Sequence, residues 1–117
     1  MESKEFIRGT IKTLVLKLLT EKKKMYGYEI SAKVMELSSN EIQLTYGALY
    51  PILYKLEAEG LLSTESELVD NRARKYYSLT KKGNEVAKVK VSELAKFMDV
   101  IKTILNAPKA SFESWAY

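Results

Sequence analysis

The 117-residue chain contains no cysteine and no histidine. The first absence removes disulfides, thiolate metal sites and cysteine nucleophiles together. The second removes the usual general base near neutral pH and the commonest zinc ligand. No apolar run approaches the roughly 18 residues that a membrane-spanning helix needs. Met1-Glu2-Ser3-Lys4-Glu5 is charged and lacks the apolar core of a signal peptide. A soluble, cytoplasmic protein with no membrane partner is the simplest expectation. An enzyme is disfavoured, because there is no nucleophile–base pair, no metal cluster and no phosphate-cradling loop; neither a metal nor a cofactor is expected.

What is present suits a packed domain. Hydrophobic residues make up 46% of the chain, the net charge is +4, and the pI is near 9.2. The core-forming content argues against general disorder. The basic balance makes a polyanionic partner plausible and no more than that.

Ile11, Leu14, Val15, Leu18 and Leu19 recur at helical spacing and predict a first helix. Lys22-Lys23-Lys24 reads as a solvated turn at its end. A second helix is expected from about Tyr26 to Leu37, with Ile30, Val34 and Leu37 facing inward and Ser38-Ser39-Asn40 as its stop. Thr45 is a good N-cap for a third helix, in which Leu49, Ile52, Leu53 and Leu56 share the core face and Gly60 is the C′ residue. From Leu61 the pattern becomes strand-like. Val69-Asp70-Asn71 supplies a turn, and Ala73, Lys75, Tyr77 and Leu79 alternate with Arg72, Arg74, Tyr76 and Ser78. Thr80 then caps a last helix that runs to about Asn106, before Ala107-Pro108.

Three helices, a hairpin and a long helix define the expected fold. It is α+β, mostly helical: a winged helix-turn-helix with a long C-terminal dimerisation helix. The division expected is a winged-helix domain over residues 1–79, a dimerisation helix over 80–106, and a flexible tail over 107–117.

Such a domain meets double-stranded DNA through its third helix and its wing. Gly47 and Ala48 let the helix backbone approach a groove. Thr45, Tyr46, Tyr50 and Tyr54 offer hydroxyls, and Lys55 offers a cation. Pro51 would clash with the carbonyl four residues back, but that residue is Gly47, which can relax. The competing structural reading is that Pro51 only tunes helix geometry. By helical angle Tyr46 lies close to the core face, and Tyr50 and Tyr54 lie further round. Arg72, Arg74 and Lys75 form the wing cations; alternatively Arg74 only pairs across the hairpin with Glu67. Gly27, at the start of the second helix, would let a phosphate approach the free amides, with Tyr28 beside it.

In the last helix Ala87, Val91, Leu94, Met98, Ile101 and Leu105 are spaced four, three, four, three, four, with Phe97, Val100 and Ile104 widening the stripe. A helix of about 26 residues is roughly 39 Å long, longer than its own domain is wide. The exposed stripe predicts a two-fold homodimer and a pseudo-palindromic operator. Phe6 and Ile7 are candidates to pack on the partner's long helix. A dimer cavity around Phe97 and Met98 could take a small molecule.

These blocks together resemble the PadR family of bacterial transcriptional regulators. The resemblance rests on Met25-Tyr26-Gly27-Tyr28-Glu29-Ile30, on Gly47-Ala48-Leu49-Tyr50-Pro51-Ile52-Leu53, and on Leu56-Glu57-Ala58-Glu59-Gly60-Leu61-Leu62. It continues through Arg72-Ala73-Arg74-Lys75-Tyr76-Tyr77-Ser78-Leu79-Thr80 and Gly83. The single last helix is similar to that of the short subfamily. Membership implies a repressor of nearby genes, released by a small aromatic or lipophilic effector; in this chain Leu94, Phe97 and Met98 are the candidate pocket. Two departures stand out. Asp70-Asn71 occupies a turn that is usually glycine-rich, and no tryptophan lies on the last helix to stack on a planar drug; Trp115 sits in the tail. The resemblance therefore does not carry planar-drug sensing over to this chain. Two rival readings remain at this stage: a winged helix used only for protein–protein assembly, and a ligand sensor without a DNA role.

Overall fold

The computed structural model describes residues 4–113. Its helices are α1 (Lys4–Ile7), α2 (Ile11–Glu21), α3 (Gly27–Leu37), α4 (Tyr46–Ala58), α5 (Lys81–Leu105) and α6 (Ala110–Glu113). Its strands are β1 (Met25–Tyr26), β2 (Leu62–Val69) and β3 (Arg72–Leu79), arranged as an antiparallel sheet in the order β1-β3-β2. The winged helix-turn-helix is present as expected, together with three short elements that periodicity cannot reveal. Of these, β1 exists only through its pairing with β3, Met25 opposite Tyr77 and Tyr26 opposite Tyr76.

Local chemistry sets the ends of the elements. Two helices close with Schellman motifs. After α3, Ser39 adopts φ 53° and the Asn40 amide donates to the Met35 carbonyl at 2.8 Å. After α4, Gly60 adopts φ 77° and the Leu61 amide donates to the Leu56 carbonyl at 2.9 Å. The wing turns on two residues, Asp70 (φ 52°) and Asn71 (φ 62°), with Val69 paired to Arg72. Two positive φ values between paired strands make a type I′ turn, which Asp and Asn tolerate without glycine.

Val15, Leu16, Ile30, Leu49, Leu53, Leu56 and Tyr77 are fully buried and draw α2, α3, α4 and β3 around one core. Leu37 was expected to join them but is 68% exposed. It is the last residue of α3, where the helix stops at the left-handed Ser39 and Asn40.

The start of α5 is locked onto the end of α4. Thr80 Oγ1 accepts from the Gly83 amide at 3.0 Å and donates to the Gly60 carbonyl at 2.7 Å. A β-carbon on Gly83 would overlap the Leu61 carbonyl. The proximal part of α5 then packs beside α2, burying Ala87. Beyond Leu94 the helix leaves the body, and every residue from Ala95 to Asn106 is exposed. Among the described residues no helix is long and apolar enough to cross a membrane.

Candidate nucleic-acid interface

Helix α4 is buried along Leu49, Leu53 and Leu56, with Ile52 partly buried against the same core. Thr45 caps it, its hydroxyl accepting from the Ala48 amide at 3.2 Å. The opposite face exposes Gly47, Pro51, Tyr54, Lys55 and Ala58, with Tyr46 beside the first turn. Nothing lies within 4 Å of the place where a Gly47 β-carbon would stand. The space in front of Gly47 is open, so another backbone could approach the helix closely there.

The tyrosines arrange differently from the helical-angle expectation. Tyr46 is 51% exposed and Tyr54 is 54% exposed, whereas Tyr50 is half-buried. The reason is Gly27: its missing side chain leaves the space that the Tyr50 ring and hydroxyl fill. Burial, and then the neighbouring Tyr46 and Tyr54, push the Tyr50 phenol above its usual pKa. Gly27 is therefore buried under Tyr50 rather than open to a phosphate, which removes the reason for placing an anion there. Tyr28 does remain at the surface, 58% exposed. It lines an open cleft of about 360 Å³ together with Gln43, Thr45 and Tyr46.

Rings and cations continue on both sides of that cleft. On one side Tyr46, Tyr50 and Tyr54 follow one another with centroid spacings of 5.7 and 6.0 Å, and the Lys75 ammonium lies 5.5 Å from the Tyr54 ring. On the other side Tyr28 stacks on Tyr26 at 6.2 Å, and the Arg74 guanidinium lies over Tyr26 at 4.5 Å. Six of the eight tyrosines thus line this surface, with Tyr76 packed edge-on against Tyr26. Tyr77 is in the core, and Tyr117 lies outside the described residues.

The three wing cations do not form one patch. Strand alternation sends Arg72 and Arg74 to one face of the hairpin and Lys75 to the other. Lys75 bonds Glu57 of α4 at 3.3 Å. Desolvation works against the charge, but the bond to Glu57, that carboxylate's charge and the nearby Tyr77 and Tyr54 together outweigh it and keep the ammonium above its usual pKa. Glu67 does stand opposite Arg74 in the ladder. It is occupied, however, by Lys24, which also bonds Glu65 at 3.1 Å and lies 5.0 Å from the Tyr76 ring. Lys22 pairs with Glu29 at 2.5 Å, so the Lys22-Lys23-Lys24 run is more than a solvated turn. Arg72, Arg74 and Lys55 form no ion pair among the described residues.

The remaining predicted residues gather at the other end. Phe6, Leu94, Phe97, Met98, Ile101 and Leu105 line an open groove of about 870 Å³ between α1 and α5. Val91 and Leu94 are half-buried within the chain itself, and Ile7 packs on the chain's own core rather than standing free for a partner. Trp115 lies outside the described residues.

A family model described as "Transcriptional regulator PadR-like family" matches residues 15–89. The chain belongs to the PadR-like family of transcriptional regulators. Its winged helix is similar to that of a transcriptional regulator from Clostridium thermocellum, with a TM-score of 0.78 and 29% identity over 88% of this chain and 97% of that one. A PadR family transcriptional regulator from Eggerthella lenta gives a TM-score of 0.71 and 32% identity, covering 89% of this chain and 88% of that one. An uncharacterized protein X of Lysinibacillus sphaericus is 32% identical over 107 residues, 91% of this chain and 94% of its own. Regulators of this kind are not enzymes.

In this PadR-like chain, sequence reasoning missed the support beneath the wing. Alternation along β3 does place Arg74 and Tyr76 on one face, which is a usable signal. No local signal could have joined Lys24 to Glu65 and Glu67, which are 41 and 43 residues away.

Proposed function

We propose that this PadR-like regulator is a sequence-specific, homodimeric DNA-binding repressor. The carrying observation is that α4 exposes Gly47, Pro51 and Tyr54 on one side of the Tyr28 cleft while Arg74 lies over Tyr26 on the other, with neither Arg72 nor Arg74 in an ion pair among the described residues. Thr45, Tyr46, Gly47, Pro51 and Tyr54 would face the major groove, with Tyr28 and Lys55 on flanking phosphates. Arg72 and Arg74 would follow the adjacent backbone or minor groove. Tyr50 sets the angle between α3 and α4, and Lys75 holds the wing root to α4. In this reading residues 1–79 meet DNA, 80–106 join two copies, and the operator is pseudo-palindromic.

Burial of the distal α5 stripe in a second copy would remove the apolar groove from water. A small aromatic or lipophilic effector lodged against Leu94, Phe97 and Met98 would change the spacing of the two α4 helices and release the promoter. Titrating the chain onto duplex DNA between 50 and 200 mM salt tests the core of this reading. Each neutralised phosphate should contribute a log–log slope of about −0.9. Absence of binding at the lowest salt would favour a protein-assembly module instead.

A further inference from the structure

Major-groove base reading by hydrogen bonds commonly uses Arg or Lys on guanine and paired donors and acceptors from Asn and Gln on adenine. Helix α4, Tyr-Gly-Ala-Leu-Tyr-Pro-Ile-Leu-Tyr-Lys-Leu-Glu-Ala, contains no Arg, Asn or Gln, and its one Lys, Lys55, is assigned above to a flanking phosphate. Its one carboxylate, Glu57, is held by Lys75 and by Thr64. Gln43, the nearest amide, precedes the helix and sits in the cleft beside Tyr28. What the open face does offer is the Pro51 ring, which has no N–H to donate, one turn beyond the vacant side-chain position of Gly47. Set against the polar edges of guanine, adenine or cytosine, that strip would leave base donors and acceptors unpaired. Thymine presents its C5-methyl beside a single acceptor, O4, so there the strip would bury apolar surface on both sides and leave only that acceptor unpaired.

We infer, on the DNA-binding reading above, that the exposed Gly47–Pro51 strip of α4 reads thymine methyl groups, so that this chain selects T-bearing half-sites by apolar contact. Gly47 lets the groove floor come close, Pro51 covers the methyl, and single hydroxyls from Thr45, Tyr46 and Tyr54 set the register.

The test uses a duplex enriched by the full chain from random DNA, synthesised with thymine or with deoxyuridine inside the protected half-sites. Deoxyuridine removes the methyl and keeps every hydrogen-bonding group. Binding should weaken by about fourfold for each methyl covered. Pro51→Ala places a good helix former there and should lose at least half of the thymine–uracil difference while still binding duplex. Equal affinity of the unaltered chain for both duplexes would overturn the thymine reading and leave DNA binding standing. A full thymine–uracil ratio in Pro51→Ala would overturn the assignment to Pro51. Failure to bind either duplex at low salt would overturn the DNA-binding reading itself, and this one with it.

Discussion

Two stretches of this chain carry apolar residues at helical spacing, and they meet opposite fates. Between Ile11 and Ala87 the apolar positions of α2, α3, α4 and the root of α5 enclose one another, with Val15, Leu16, Leu49 and Leu53 fully buried. From Ala95 onward α5 keeps the same spacing, yet Phe97, Met98, Ile101, Ile104 and Leu105 all remain exposed. The molecule measures 68 × 30 × 21 Å, so the long axis reflects a helix that outruns its body. The difference teaches that periodicity reports a face to be buried without naming what buries it. In the body the covering surface lies in the same chain. In distal α5 we ascribe it to a second copy.

The sharpest way to break that contrast is to cut into each stretch. Leu53→Ala should cost about 2–5 kcal/mol in urea unfolding, because the body cannot fill the cavity. A loss well under 1 kcal/mol would mean the core is not closed as described. Met98→Asp combined with Ile101→Asp should leave the far-ultraviolet circular dichroism and the folded body intact. The double change should yield monomers by sedimentation and reduce operator affinity by about 100-fold or more, through lost avidity.

Two glycines sharpen the comparison within the interface. Gly27→Ala should destabilise the fold by about 1–3 kcal/mol, since its methyl displaces the Tyr50 ring. Gly47→Ala meets open space, and removing a helical glycine should stabilise by up to about 1 kcal/mol. It should nonetheless weaken DNA binding, and thermal melts read beside anisotropy titrations separate the two effects. Smallest of all, Arg74→Ala should weaken binding to every sequence alike and reduce the salt slope by about 0.9. An unchanged slope would remove Arg74 from the phosphate contacts.

Much of the fold was legible because its signals are local. Thr45 and Thr80 cap their helices, Gly60 takes the left-handed position, and Asp70-Asn71 makes the hairpin turn, each within a few residues of its cause. The candidate site was legible only in part. The exposed strip of α4 followed from spacing, but the burial of Tyr50 depends on Gly27, 23 positions earlier in the chain. Strand alternation did separate Lys75 from Arg72 and Arg74, but the Lys75 bond to Glu57 of α4 joins residues 18 apart and could not be read from it. Leu37 kept the right helical spacing and still missed the core, standing in the last position of α3 where the helix ends. Contacts distant in sequence carry no mark in either partner.

In the proposed assembly two copies, joined through α5, present paired α4 helices and wings to one duplex. Sedimentation velocity of the 13.4-kDa chain with a stoichiometric enriched duplex tests this directly. Two chains per duplex at moderate salt, and a two-chain particle without DNA, are the predicted result. A single chain that sediments alone and never joins the duplex would contradict it.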